Sequence, residues 1–251
     1  SYSDLKRFFP RAELVDCTEI LKRLRSIKTK EAIALIIEAT RITDRATEAF
    51  LESVRAGIGD RELRGIFVQT VSKEGGNIYH PAHLVVHTRY GPVLHRVSQL
   101  INFQLREGDI VRIDAGAAYE GWTSDICRVT AVGRMPERCR KIYEVLCAAQ
   151  EKVIDNIEPG AETSDLFRIG ESLVKEKYPA YVRYMLGHSI GLEIHEEPLI
   201  APSPRHQLRP GMVLAIELPF YSQAFGGLNI EDIVLVTEDG HRVLSACPRN
   251  V

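Results

Sequence analysis

Two stretches of the chain resemble each other, and each ends in a carboxylate. Leu105–Asp114 reads LREGDIVRID, and Leu208–Glu217 reads LRPGMVLAIE. A second acid follows each stretch, Asp125 after the first and Glu231 after the second. A duplicated strand that delivers two acids from each half toward one place predicts a cation site, because grouped carboxylates repel one another unless a cation or a proton lies between them.

The two acids of the first half are predicted to face each other across a β-hairpin. If Tyr119-Glu120 is its two-residue loop, with Gly121 allowing the tight turn, Asp114 and Asp125 become cross-strand partners. Such partners have Cβ atoms ~4.5–5.5 Å apart. Apolar residues precede Asp114 and follow Asp125, which favours a buried pair over the alternative, an exposed hairpin with both acids in water.

The acids of the second half also stand in apolar surroundings. Glu217 ends the apolar run Val213–Ile216, and Glu231 lies shortly before the apolar run Ile233–Val236. Burying an unpaired carboxylate costs several kcal/mol, so a lone glutamate in a core strand indicates a functional group.

Three histidines complete the candidate set. His188 lies within GHSIG, His195 begins HEEP, and His95 ends PVLH. A single histidine is more often a structural residue, but four carboxylates with one histidine suit two divalent ions of the Mn, Co, Fe or Zn type. Two-metal hydrolases hold such ions ~3.5–4 Å apart.

The predicted elements that must position these residues occur in the same order twice. Helix, helix and strands are predicted in residues 29–135 and again in residues 136–251, whereas residues 1–28 are predicted to be a connector segment. The fold class is therefore α/β, with duplicated helix-helix-strand halves related by a pseudo-twofold axis.

Composition excludes several classes of function. Of 251 residues, 45% are apolar and 26% charged, with a net charge of −2, which argues against binding to nucleic acid or an anionic membrane. No apolar run approaches the ~20 residues of a membrane-spanning helix, and residues 1–11 lack the apolar core of a signal peptide. Five cysteines without CxxC spacing favour reduced thiols and a cytoplasmic protein.

The order of these motifs resembles the pita-bread metallopeptidases, the family of methionine aminopeptidases, Xaa-Pro aminopeptidases, prolidases and creatinase. The likeness covers about residues 29–251 and consists of the two spaced aspartates, GHSIG, HEEP, the isolated Glu217 and the closing Ile230–Asp232. It implies a pita-bread fold, a dinuclear metal site with manganese as the first choice, and a homodimer.

The resemblance also implies a role for each site residue. Asp114 would bind one ion, Asp125 and Glu231 would bridge both ions, and His188 and Glu217 would bind the other. A hydroxide shared by the ions would attack a scissile amide, with Glu217 moving the proton to the leaving nitrogen. His95 and His195 resemble two histidines that contact the substrate without binding metal.

Further residues bear on the branch of the family. Residues 8–31 resemble the connector that follows an N-terminal domain in prolidases, which favours an Xaa-Pro peptidase acting on short peptides. Asn229 and Arg96 replace an arginine and an aromatic residue that are usual in proline-specific relatives. Two alternatives therefore stay open: a creatinase-like hydrolase of a small C–N bond, and a metal-free protein-interaction domain.

Overall fold

Four long helices pack in two pairs, one in each half of the chain. A computed structural model describes residues 2–78, 104–222 and 226–249. The pairs are α3 (Lys30–Glu52) with α4 (Asp60–Lys73), and α5 (Glu137–Asp155) with α6 (Thr163–Lys177); α1 (Tyr2–Phe8) and α2 (Thr18–Ser26) precede them. Among these described helices, none is both long enough and apolar enough to cross a membrane.

The N-terminus of α3 is capped by Thr29, whose hydroxyl accepts a hydrogen bond from Ala32 N at 3.2 Å. The strands that follow the helices are β1 (Asn77–Ile78), β2 (Ile110–Ala115), β3 (Ala117–Tyr119), β4 (Trp122–Thr123), β5 (Ile126–Ala131), β6 (Gly187–Ser189), β7 (Glu196–Leu199), β8 (Val213–Glu217), β9 (Phe220–Ser222), β10 (Gly226–Leu228), β11 (Glu231–Val236) and β12 (His241–Val243). The main sheet has the order β2-β5-β11-β8-β6-β7, with β12 beside β11. Its two halves meet where β5 pairs with β11.

The predicted duplication extends to individual hydrogen bonds. Gly57 N donates to Leu105 O at 2.8 Å, and Gly160 N donates to Leu208 O at 2.8 Å. The offset between the members of each pair is the same as that between the two repeated stretches. Isolated bridges repeat with the same offset, between positions 59 and 104 and between positions 162 and 207. The pseudo-twofold α/β architecture is thus confirmed.

Side-chain alternation puts the acids on the opposite side of their strands from the apolar side chains beneath the helix pairs. Val111 and Ile113 belong to the apolar cluster beneath α3 and α4, while Leu214 and Ile216 belong to the cluster beneath α5 and α6. Because successive side chains of a strand point to opposite faces, Asp114 at the end of β2 projects away from the helices.

The first hairpin has a different register from the predicted one. Tyr119 pairs with Trp122, so the two-residue loop is Glu120-Gly121 rather than Tyr119-Glu120. Both loop residues have positive φ, +48° and +84°, as the favoured two-residue hairpin turn requires. The prediction that Asp114 and Asp125 are direct partners was therefore wrong: Cys127 lies opposite Asp114, and Asp125 is a diagonal neighbour on the same side.

The repeated turns before β2 and β8 provide a matched stability test. Gly108 and Gly211 have φ of +82° and +86°, so alanine at either position should cost about 1–2 kcal/mol of unfolding free energy. A Cβ at Gly108 would meet open space, whereas one at Gly211 would lie 3.1 Å from Lys28 O. We expect Gly211→Ala to be the more destabilising change in urea unfolding; equal losses would show that the Lys28 backbone yields freely.

Candidate metal centre

Three carboxylates from both halves of the chain come together at the seam of the sheet. Asp114, Asp125 and Glu231 each offer an oxygen, and these oxygens lie within 4.8 Å of one another. Strand register explains the grouping, because Cys127 on β5 lies opposite both Asp114 on β2 and Glu231 on β11. Asp125 is 4% exposed and Glu231 is 2% exposed, so both carboxylates are shielded from bulk solvent.

Glu217 adds a fourth carboxylate from the neighbouring strand. It is the direct cross-strand partner of Glu231, and it is half-buried at the end of β8. Its Oε2 accepts a hydrogen bond from Asn229 Nδ2 at 3.2 Å. Burial raises the pKa of Glu217, while the nearby His188 opposes that rise.

The ring of His188 is fully buried and directed at the carboxylates. Its Nδ1 lies 3.1 Å from Ser189 O, and since a carbonyl only accepts, Nδ1 is the protonated nitrogen. Nε2 is thereby left with a free lone pair, 3.6 Å from Glu231 Oε1. Burial lowers the pKa of His188, which favours the neutral ring that a metal requires.

His195 lies at the outer side of the centre. Its ring centroid is 4.2 Å from that of His188 in an edge-on arrangement. One nitrogen of each ring and an oxygen of Asp125 form a second group of possible ligands within 4.8 Å. His195 is exposed and lines a cavity of about 500 Å³ between α2 and β7, so a bound molecule could touch it.

Burial and mutual repulsion disfavour ionisation of the carboxylates in the absence of a cation. Burial raises the pKa of Asp125 well above its ordinary value, and Glu231, Asp114 and Glu217 raise it further. Burial also raises the pKa of Glu231, followed by the charges of Glu217 and Asp114. A proton or a cation must therefore be present for these side chains to remain together.

The residues present fit a divalent cation. Asp125 Oδ1 and His188 Nε2 are buried without a hydrogen-bond partner among the described residues. Unpaired buried acceptors are costly, and a cation bound between them would satisfy both. Oxygen donors with imidazole suit Mn, Co, Fe and Zn ions, and the choice of Mn²⁺ stays a prediction.

Most of the site residues predicted from the sequence therefore lie close together in the structure. Asp114, Asp125, His188, Glu217 and Glu231 meet at the seam, with His195 beside them. His95 and Arg96 lie outside the described residues.

The sequence analysis did not identify a buried network of hydrogen bonds and ion pairs that connects the end of α2 to the candidate metal centre. Lys28 Nζ donates to Ser189 Oγ at 2.8 Å and lies 3.3 Å from Glu196 Oε2. Arg25 Nη2 donates to the other oxygen of Glu196 at 2.6 Å. Because Ser189 follows His188 and Glu196 follows His195 in the chain, the network holds the backbone beside both histidines.

Arg112 was also missed, although its signal was visible in the sequence. It is fully buried on β2, and it stands two residues before Asp114, so strand alternation places both side chains on one face. The argument that identified Glu217 applies to Arg112 as well. A single charged residue in an apolar strand, here Ile110–Ile113, is costly to bury and therefore indicates a functional role.

Comparison with known proteins agrees with this arrangement. The sequence model of metallopeptidase family M24 matches residues 34–238. The Xaa-Pro dipeptidase of Pyrococcus furiosus is 34% identical over 255 aligned residues, which cover 100% of this chain and 73% of the relative.

Solved structures give the same picture. The prolidase from Pyrococcus furiosus superposes with a TM-score of 0.90 at 34% identity, covering 99% of this chain and 74% of the other. An X-Pro aminopeptidase from Thermotoga maritima also has a TM-score of 0.90, at 25% identity, covering 100% and 70% of the respective chains.

Divalent metal should stabilise the folded protein through this centre. At a free-ion concentration 100 times the Kd, the gain in unfolding free energy should be about 2.7 kcal/mol, and Asp125→Asn should remove most of it. Asp44→Asn is the matched control, since Asp44 is buried but accepts hydrogen bonds from Ala246 N and Cys247 N. Urea unfolding with Mn²⁺ or chelator measures the gain; an undiminished gain in Asp125→Asn would exclude Asp125 as a ligand.

The metal-free protein should become more stable when Asp125 is replaced by asparagine, and increasingly so as the pH rises. The pKa of Asp125 is raised above its ordinary 3.8, so above that pH the folded state retains a proton that the unfolded state releases. Stability contributed by this group is complete below pH ~4 and falls as the pH rises through the folded-state pKa. Asparagine does not ionise and escapes the loss. Unfolding with chelator between pH 4.5 and 8 should show the gap widening; a constant gap would contradict the raised pKa.

Proposed function

Because the chain belongs to metallopeptidase family M24 and is a metal-dependent peptidase, we propose that it hydrolyses the bond between an amino-terminal residue and proline, using two divalent ions. The proline preference is supported by the similarity to the Xaa-Pro dipeptidase of Pyrococcus furiosus along the whole of this chain. The observation that carries the metal proposal is the group of buried, mutually close carboxylates with unpaired ligand atoms.

Each ligand is assigned by its place at the seam. We assign Asp114 to one ion, Asp125 and Glu231 to both, and His188 with Glu217 to the other. The central place of Asp125 supports its bridging role, because it is the member that the two groups of possible ligands share. The free Nε2 of His188 supports its assignment as the nitrogen ligand.

The chemistry divides between the ions and the chain. Bound divalent ions would polarise the scissile carbonyl and lower the pKa of the attacking water. The carboxylate of Glu217 accepts the proton that the attacking water loses and passes it to the leaving nitrogen. Because the Glu217 side chain is only half-buried, it can reach both the water and that nitrogen. The hydrogen bond from Asn229 Nδ2 to Glu217 Oε2 keeps that carboxylate oriented.

His195 is placed to touch the substrate. Its ring adjoins His188 and opens into the cavity beside α2, so an N–H of the ring can donate to the oxyanion that forms at the scissile carbonyl. We assign His95 to the leaving side of the substrate on the resemblance alone, since it lies outside the described residues.

We propose residues 29–251 as the catalytic domain and residues 1–28 as a connector. The boundary is supported by the start of the first repeated half at the Thr29 cap of α3. Within the proposed connector, α2 is attached to the domain through Arg25 and Glu196. The homodimer implied by the resemblance stays a prediction.

Hydrolysis of a defined mixture tests the reaction. The Mn²⁺-loaded protein should consume Ala-Pro in a mixture with Met-Ala-Ser and creatine, followed by NMR. Asp125→Asn and Glu231→Gln should each lower the rate by at least about 100-fold, since even residues that only support metal ligands contribute 10–100-fold. Asp44→Asn, outside the centre, should keep the rate within a few-fold once folding is confirmed.

The mixture also separates the alternatives. Consumption of creatine with Ala-Pro untouched would replace the peptidase proposal with hydrolysis of a small C–N bond. Consumption of Met-Ala-Ser alone would keep the metal centre but remove the proline preference. Full activity of Glu231→Gln would contradict the assignment of Glu231 to both ions.

A further inference from the structure

A short loop between two strands carries His195. Residues 190–195 connect β6 to β7, and the neighbours of His195 in the chain are buried, Ile194 at 3% and Glu196 at 8% exposure. His195 itself is exposed. Its position relative to the metal centre therefore depends on how the backbone of this loop is held.

The carboxylate of Glu196 lies inside the curve of the loop. Its Oε1 accepts hydrogen bonds from Leu192 N at 2.9 Å and Glu193 N at 3.2 Å. A Cβ at Gly191 would lie 2.8 Å from both carboxylate oxygens, so the carboxylate packs directly against the backbone there. Three successive residues of the loop thus surround one buried charge, and the shape of the loop depends on that charge staying in place.

Arg25 of α2 contacts the chain on both sides of His195. Its Nη2 and Nε donate to Glu196 Oε1 at 2.6 and 3.2 Å, and its Nη1 donates to Glu193 Oε1 at 3.3 Å. One guanidinium thus binds the residue directly after His195 and the residue two before it. Because a guanidinium is planar and its N–H groups have fixed relative directions, it also fixes the two glutamates relative to each other.

Lys28 connects the same carboxylate to the main sheet. Its side chain is fully buried, with Nζ 3.3 Å from Glu196 Oε2 and donating to Ser189 Oγ at 2.8 Å. Ser189 Oγ in turn donates to Val213 O at 3.2 Å. The backbone N–H of Lys28 donates to Gly211 O at 2.9 Å. The loop is therefore attached through Lys28 to the beginning of β8.

Packing alone does not hold the loop on the side of α2. Arg25, Glu193, His195 and Glu196 line the cavity of about 500 Å³ between α2 and β7, so the loop borders open space there rather than closely packed side chains. The ion pairs of Arg25 bridge this space. A loop beside a cavity can move into it once such contacts are removed, whereas a closely packed loop could not.

We infer that Arg25 and Lys28 are positioning residues for His195, so that the end of the proposed connector is part of the active site. They act through Glu196, whose carboxylate shapes the loop. The inference rests on the proposed function, in which an N–H of His195 donates to the oxyanion. Such a donor must lie about 2.7–3.1 Å from the oxyanion, and a misplacement of about 1 Å can lower the rate about 100-fold.

Replacement of Arg25 tests the inference. Its side chain is 37% exposed, and Glu196 keeps Lys28 as a counterion, so Arg25→Gln should fold. It should lower the kcat for Ala-Pro about 10–100-fold, as expected when a supporting partner of an active-site group is lost. KM should change by less than about threefold, because His195 stabilises charge that forms in the transition state. Arg25→Lys should recover part of the loss. Glu193→Gln, which removes the more exposed ion pair, is a second variant and should show the same pattern with a smaller loss.

A double-mutant cycle distinguishes positioning of His195 from a general structural role. In a His195→Gln background, Arg25→Gln should lower kcat by less than about twofold, because the side chain that Arg25 positions is already absent. Arg41→Gln is the matched control, since Arg41 also joins two glutamates, Glu38 and Glu74, at the surface. It should leave kcat unchanged in both backgrounds.

Two measurements that need no turnover complete the test. The bound metal of each variant is determined directly and should be unchanged in Arg25→Gln, because Arg25 forms ion pairs with Glu193 and Glu196, outside the proposed ligand set. NMR of the Zn²⁺-loaded protein, labelled in its histidine rings, should show one sharp His195 signal, identified by its loss in His195→Gln. In Arg25→Gln this signal should broaden or split, since the ring no longer has a single position.

The outcomes divide clearly. A loss of kcat that disappears in the His195→Gln background, at unchanged metal content, supports the inference. Losses that multiply in the double variant overturn it, and so does a loss of kcat that follows the metal content, which would assign the network to the metal centre. If the wild type cleaves no Xaa-Pro substrate, the proposed function is contradicted and the NMR comparison decides. A broadened His195 signal in Arg25→Gln then still supports positioning, and an unchanged signal overturns it.

Discussion

The repulsion among buried carboxylates at the seam of the sheet is the constraint on which the structure depends. Glu231 lies opposite Glu217 on one side and Cys127 on the other, and Cys127 lies opposite Asp114. Strand register thus brings acids of both halves together at a place with little water. An apolar core could not tolerate this arrangement without a proton or a cation. The helices cover the opposite face, and on the face of the acids β8 and β11 carry charge only at their ends, since Val213, Ala215, Ile233 and Leu235 pack with Ile36 of α3.

The neighbouring polar groups serve the same centre. Ser189 O holds the Nδ1 proton of His188 and thereby directs a lone pair toward Glu231. Lys28 and Arg25 satisfy Glu196, so a further buried carboxylate next to His195 does not add to the repulsion. Arg112 differs from these groups because its Nε and Nη2 have no hydrogen-bond partner among the described residues.

Much of this could be read from the sequence, and the exceptions have physical causes. The repeat and its acids were found because Glu217 is costly in an apolar strand and because the turn before each strand is the same. The register of the first hairpin was missed by two residues, since the turn places Glu120 at a positive φ that side chains rarely adopt. Arg112 was not identified, because the alternation of side chains along a strand predicts the side of the sheet on which Arg112 lies but not the residues that it contacts. Tyr221 approaches Arg112 only through the folding of distant segments, and Arg183 lies against the same tyrosine ring.

Fold and substrate depend on different parts of the molecule. The similarity to prolidases extends over nearly the whole chain and gives the fold and the reaction class, whereas substrate choice depends on side chains around the centre.

The most direct test of the account is a calorimetric titration of the metal-free protein with Mn²⁺ at mildly acidic pH, in buffers of different ionisation enthalpy. Burial and mutual repulsion raise the pKa values of Asp125 and Glu231 and so favour protonation of the centre when metal is absent. We expect two ions to bind per chain, with release of about one proton or more. Binding of a single ion would contradict the dinuclear centre, and binding without proton release would contradict the view that repulsion among the carboxylates is relieved by either a proton or a cation.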